Sequence, residues 1–133
     1  MKYLGIDFGL KHVGLALADG PLSETLSEKK YTSFEELFNY LKRLIDEQEI
    51  DKIVLGLPEG RLAETVKKFG EKLTELTGRE IIYQDETLSS QEAKSKLLAA
   101  GAPRKKRRLD HQAAAALILQ GFLDMMDERR KYV

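Results

Sequence analysis

Between Lys2 and Asp19 apolar residues recur at every second position. Leu4, Ile6 and Phe8 share one face of a first strand, and Tyr3, Gly5 and Asp7 share the other. Val13, Leu15 and Leu17 alternate with Gly14, Ala16 and Ala18 in a second strand, with Gly9 as the turn residue between the two. The pattern predicts an opening hairpin with one bulky apolar face and one face of small residues. Thr25 to Tyr31 also reads as a strand, but a polar one, which belongs at a sheet edge. The period then changes. Phe34, Leu37, Phe38, Leu41, Leu44 and Ile45 fall at helical spacing behind a Ser33/Glu36 capping box, which predicts a helix over 33–48. Ile53-Val54-Leu55 is a short apolar run, expected of a strand covered on both faces. A loop over 56–60 leads to a second helix, about 62–76, with Leu62, Val66, Phe69, Leu73 and Leu76 on one stripe and Gly78 as its stop. A strand over 80–84 runs into Asp85-Glu86. Ser89 and Glu92 open a third helix that reaches about Ala100 and closes at Gly101 and Pro103. A last helix extends from near Asp110 to about Arg129.

A hairpin and edge strand, followed by alternating helices and strands, implies an α/β fold whose later strands run parallel with right-handed crossovers. Sites in such sheets lie beyond the carboxyl ends of the parallel strands. Asp7 and Asp85-Glu86 stand at strand ends of this kind. The stripe Asp110, Ala113, Ala114, Leu117, Ile118 and Gly121 gives the last helix a face of small residues in its first half. Such a face can approach the small face of the hairpin closely, at Gly5, Gly14, Ala16 and Ala18, and would carry Asp110 towards Asp7.

Composition narrows this picture only a little. A chain of 133 residues is expected to form one domain with a real core. Lys plus Arg and Asp plus Glu are both 22, so net charge names no partner. The absence of cysteine excludes disulfides and thiolate sites and fits a reducing cytoplasm. No apolar run has the length of a membrane span, and the opening segment does not read as a signal peptide.

The candidate chemistry is carried by acids. Asp7 sits on a strand within apolar sequence, where a carboxylate is costly unless its charge is compensated. It reads either as an acceptor of turn amides or as a metal ligand or catalytic acid. Asp85 or Glu86, together with Asp110, would join it on one side of the sheet. Taken singly, these are a solvated strand exit and a first-turn acid. Clustered, they repel unless a cation intervenes, and oxygen ligands suit Mg²⁺ or Mn²⁺, which promote phosphodiester cleavage. His12 and His111 flank the acids; zinc on these two is conceivable, but no ligand spacing supports it. They read as a polar turn residue and a solvated first-turn residue. Lys11 and the run Arg104-Lys105-Lys106-Arg107-Arg108 place positive charge beside the acids, as a polyanionic substrate requires.

Taken together and in order, these segments resemble the YqgF/RuvX family of Holliday-junction-resolvase-like nucleases in the ribonuclease H-like superfamily. The resemblance rests on Leu4-Gly5-Ile6-Asp7-Phe8-Gly9 with Lys11 and Gly14-Leu15-Ala16, and on Val54-Leu55-Gly56-Leu57-Pro58. Asp85-Glu86, and Leu109-Asp110 followed by Ala113-Ala114 and Ile118-Leu119-Gln120, complete it. It implies a ribonuclease H-like fold, a mixed five-stranded sheet with an antiparallel meander and two parallel strands, flanked by helices. It also implies Asp7, Glu86 and Asp110 as catalytic and metal-binding residues for Mg²⁺ or Mn²⁺, with Lys11, Lys105, Lys106, Arg107 and Arg108 contacting substrate. The family is associated with processing the 5′ end of pre-16S ribosomal RNA. Thr87-Leu88-Ser89 stands where the family has Arg-Leu-Thr, His12 stands where Arg is frequent, and the loop after Pro58 is short. These departures touch the grip on substrate more than metal binding.

The expectation is therefore a metal-dependent nuclease acting on a structured RNA precursor in the cytoplasm, free or within a pre-ribosomal particle. Three alternatives stand beside it. One is a resolvase-like endonuclease acting on branched DNA. Another is a non-catalytic RNA-binding assembly factor. The third is a nucleotide-binding module, because Asp7-Phe8-Gly9 is also similar to the first phosphate loop of actin-like ATPases.

Overall fold

The computed structural model describes residues 1–85 and 111–131, with side chains up to Asp127. The expected third helix, the basic run 104–108, Glu86 and Asp110 lie outside the described residues. Five strands form one mixed sheet in the order β3-β2-β1-β4-β5. The strands are β1 (Tyr3–Phe8), β2 (His12–Ala18), β3 (Ser23–Lys30), β4 (Lys52–Leu57) and β5 (Glu80–Asp85). β1, β2 and β3 make an antiparallel meander, while β4 runs parallel to β1 and β5 parallel to β4. The polar third strand lies at an edge, as its composition predicts.

The two faces of the hairpin recruit different helices. Leu4, Ile6, Phe8, Val13 and Leu15 pack with Leu37, Leu41 and Ile45 of α1 (Phe34–Glu47) and with Val66, Phe69 and Leu73 of α2 (Leu62–Thr77). Ser33 caps α1 by accepting from the Glu36 amide at 3.2 Å. Glu36 reaches back one residue further than a standard capping box, to the Thr32 hydroxyl at 2.8 Å. Gly78 ends α2 in the left-handed region, at φ 70°, where a side chain would be strained.

The opposite face is covered by α3 (His111–Lys131), which packs on β1, β2 and β3. Small residues set the closeness of this contact. A Cβ at Gly5 would stand 2.9 Å from the Ala115 carbonyl and 2.9 Å from Leu119 Cβ. At Gly14 a Cβ would overlap the backbone of His111 itself. The small faces therefore meet as expected, but the helix is turned relative to the predicted stripe. Ala115, Ile118 and Leu119 are fully buried, whereas Leu117 and Gly121 are only partly covered. Ala115 and Leu119 occupy the space that Gly5 leaves, and this sets the rotation. Residues four apart share a helix face, so His111 falls in line with Ala115 and Leu119 over the sheet.

Candidate active site

The antiparallel pairing puts Asp7 of β1 opposite Gly14 of β2, and Gly14 opposite Glu28 of β3. These three form one row across the small-residue face. The absence of a side chain at Gly14 lets the first described turn of α3 settle directly onto that row. His111 consequently stands over Gly14. Its Nδ1 lies 2.8 Å from Asp7 Oδ2. A carboxylate only accepts, so Nδ1 carries the proton and donates. Asp7 is 3% exposed, the one buried acid among the described residues. The reading of His111 as a solvated first-turn residue is thereby corrected. The rotation of α3 turns it onto the sheet, where it is partly covered and hydrogen-bonded to the buried acid. His12 is likewise not a turn residue: it opens β2 and contacts Glu28 Oε1 through Nδ1 at 3.1 Å.

The turn after Asp7 is held from outside. The Tyr31 hydroxyl donates to the Gly9 carbonyl, and the Tyr31 amide donates to the Lys11 carbonyl at 3.1 Å. Burial pushes the Tyr31 phenol above its ordinary pKa, which keeps it a donor. Gly9 is itself confined, since a Cβ there would stand 3.1 Å from His111 Cε1. Lys11 is exposed in this turn, at the Asp7 end of the sheet, where a polyanion could reach it.

The strand register sets the side of the sheet on which Asp85, the last residue of β5, lies. Asp7 is one residue past the Ile6–Leu55 pair, and the next pairs outward are Gly56–Gln84 and Leu57–Asp85. Gln84 Nε2 contacts Met125 Sδ at 3.6 Å, on the α3 face that holds Asp7. The Tyr83 hydroxyl bonds to the Lys67 carbonyl on the α2 face. Asp85 shares the parity of Tyr83, so it lies on the opposite side of the sheet from Asp7. Of the acids and cations marked in the sequence, the described residues place Asp7 and Lys11 at the same sheet end and remove Asp85 from Asp7's face. Glu86, Asp110, Lys105, Lys106, Arg107 and Arg108 lie outside them.

Periodicity in the sequence does not single out Glu28. The pairing of β2 with β3 shifts between Leu15 and Ala16, whose partners are Ser27 and Thr25, so that Leu26 is skipped. This bulge moves Glu28 onto the row of Gly14 and Asp7. Alternation counted from Thr25 puts Glu28 on the other face.

A mixed sheet with an antiparallel meander, two added parallel strands and a buried carboxylate near the end of the first strand defines the ribonuclease H-like class of fold. Solved structures agree. RuvC of Thermus thermophilus bound to a Holliday junction substrate superposes with a TM-score of 0.68 at 17% identity, covering 96% of both chains. The Holliday junction resolvase of fowlpox virus in its DNA complex gives 0.58 at 11% identity, covering 95% of this chain and 99% of that one.

Sequence relatives fix the family. The RuvX family model, described as Holliday junction resolvase, matches residues 1–125, and the chain belongs to this family. A protein of Agathobacter rectalis named "Putative pre-16S rRNA nuclease" is 35% identical over 142 residues, covering 98% of this chain and 99% of its own. A relative of the same name from Bacillus cytotoxicus is 37% identical over 135 residues, covering 93% and 98%. The family and its relatives make the chain a nuclease, a hydrolase of phosphodiester bonds in nucleic acid. No helix among the described residues is long and apolar enough to cross a membrane.

Proposed function

We propose that this nuclease is a metal-dependent enzyme of the cytoplasm that processes the 5′ end of pre-16S ribosomal RNA, free or within a pre-ribosomal particle. The observation that carries the reading is the Asp7 carboxylate, 3% exposed and fixed by His111 at the open end of β1. Sequence relatives named for pre-16S rRNA support the substrate. Asp7, Glu86 and Asp110 are assigned as the holders of Mg²⁺ or Mn²⁺; Asp85, turned to the other face, is not. Asp7 fits such an ion: a buried anionic oxygen donor of the hard type these cations prefer. When bound, the ion supplies activation of water and neutralisation of the charge that develops on phosphate. The chain's own part is to hold Asp7 rigid and to bring the backbone of the substrate to it. His111 fixes the carboxylate, and Tyr31 braces the turn behind it. Lys11 and the 104–108 run are assigned to the phosphates.

The test is cleavage of a labelled pre-16S RNA, with a branched DNA beside it, in Mn²⁺, in Mg²⁺ and in chelator. Ion-dependent cleavage at the RNA 5′ end, abolished by Asp7→Asn, is the expected result. Cleavage of the branched DNA alone would replace the substrate. Tight RNA binding with no cleavage under any ion would make the chain an assembly factor instead.

A further inference from the structure

We propose that His12, Glu28 and His111 form a second metal site, one for a zinc-class divalent ion, separate from the acidic site assigned to Mg²⁺ or Mn²⁺. One ligand atom from each of the three lies within 4.8 Å of the others. In a tetrahedral site with bonds of about 2.0–2.1 Å, ligand atoms stand about 3.3 Å apart. The 3.1 Å between His12 Nδ1 and Glu28 Oε1 already matches that edge. The His12 and His111 rings meet edge to face with centroids 5.9 Å apart, so a modest inward movement of His111 closes the triangle. Two imidazoles and one carboxylate are the donor set that zinc accepts with its fourth position open.

Three independent features point the same way. First, His111 Nδ1 stands 2.8 Å from Asp7 Oδ2, so Nε2 is the nitrogen turned to a metal, and a carboxylate behind a ligating histidine is the arrangement that orients it and raises its basicity. Second, the bulge at Leu26 exists on the strand that supplies Glu28, and it carries Glu28 to the face of both histidines. Third, the ligands are reachable: the side chains of His12 and Glu28 are 33% and 34% exposed, so an ion can enter from solvent. A hard ion such as Mg²⁺ demands six oxygen ligands and is a poor competitor for imidazole. The site would tie the start of α3 to β2 and β3.

The experiment uses tag-free full-length protein in excess Mg²⁺, so that oxygen-ligand sites are filled. Zn²⁺ is titrated against a chromophoric chelator, and Co²⁺ is added separately to read the ligand-field spectrum. The expected result is one Zn²⁺ per chain that Mg²⁺ does not displace, a tetrahedral Co²⁺ absorption, and a raised melting temperature. His12→Ala and Glu28→Ala should each weaken Zn²⁺ by about tenfold or more and erase the Co²⁺ band. Both variants should still bind Mn²⁺ and cleave nucleic acid, which keeps this outcome separate from that of the nuclease assay. Zn²⁺ affinity unchanged in the folded His12→Ala/Glu28→Ala double variant would overturn the site, as would a Co²⁺ spectrum that remains octahedral.

Discussion

His111 Nδ1 and Asp7 Oδ2, 104 residues apart in the chain, stand 2.8 Å apart across the interface of helix and sheet. A buried carboxylate alone is free to rotate and costly to desolvate; a positioned N–H removes both problems. His111→Ala should therefore lower kcat by about 10–100-fold, the usual loss for a group that orients a metal-binding residue, and leave KM for RNA little changed. His111→Asn, which keeps a donor near the same place, should recover part of that loss. Single-turnover kinetics at saturating RNA measure it. A KM effect with kcat intact would place His111 in substrate binding instead.

Gly14 and Gly70 provide a matched pair of substitutions. An added methyl at Gly14 meets the rigid backbone of His111, whereas at Gly70 the nearest atom is the Tyr83 hydroxyl, at the tip of a side chain that is 38% exposed. Gly14→Ala should cost about 3 kcal/mol or more, by pushing α3 off the sheet. Gly70→Ala should be far milder, because Tyr83 can swing aside and Ala is the better helix former. Urea denaturation of the two variants compares them directly.

The Glu36 carboxyl is held below its usual value of 4.5 first by the Thr32 hydrogen bonds and then by Lys29, which lies 3.6 Å away. Its folded-state pKa is depressed. The contribution to stability is thus complete above pH 4.5 and disappears as the pH falls through the lower folded value. Glu36→Gln should flatten the acid limb of the stability profile in that window and leave the neutral and alkaline regions parallel to wild type. Melting temperatures from about pH 3 to 8 provide the measurement.

The basic run yields a separate signature. Replacing Lys105, Lys106, Arg107 and Arg108 by Ala should reduce the slope of log affinity against log salt by roughly 0.7–0.9 for each phosphate that is no longer neutralised. Melting temperature should stay close to wild type. Filter binding across a salt series reads the slope, and an unchanged slope would remove these residues from the interface.

The parts of this fold visible in the sequence are those that one period specifies. Strict alternation in β1 and β2 and the 3.6-residue spacing of α1 and α2 name both the element and its buried face. The small-residue faces of hairpin and last helix also announce each other. Less visible is what depends on two elements at once. The rotation of α3 follows from the Ala115 carbonyl and Leu119 filling the space beside Gly5, and single-helix periodicity does not single out that pair. That rotation decides that His111 meets Asp7. Glu28 is hidden for a related reason: a bulge changes the parity of everything before or after it, and β3 has too few apolar residues to show the shift. Asp7 itself is legible locally, since a charge inside an apolar strand needs a cause.

The distance along the chain between Asp7 and His111 also sets when the site can exist. Ribosomes add about 5–20 residues per second. Asp7 is therefore made some 5–20 s before the histidine that fixes it, over the 104 intervening residues. Through that interval the hairpin can pair and α1 and α2 can cover the bulky face, while the small face stays bare. A nascent copy of this nuclease is thus held without its finished centre until the last helix docks.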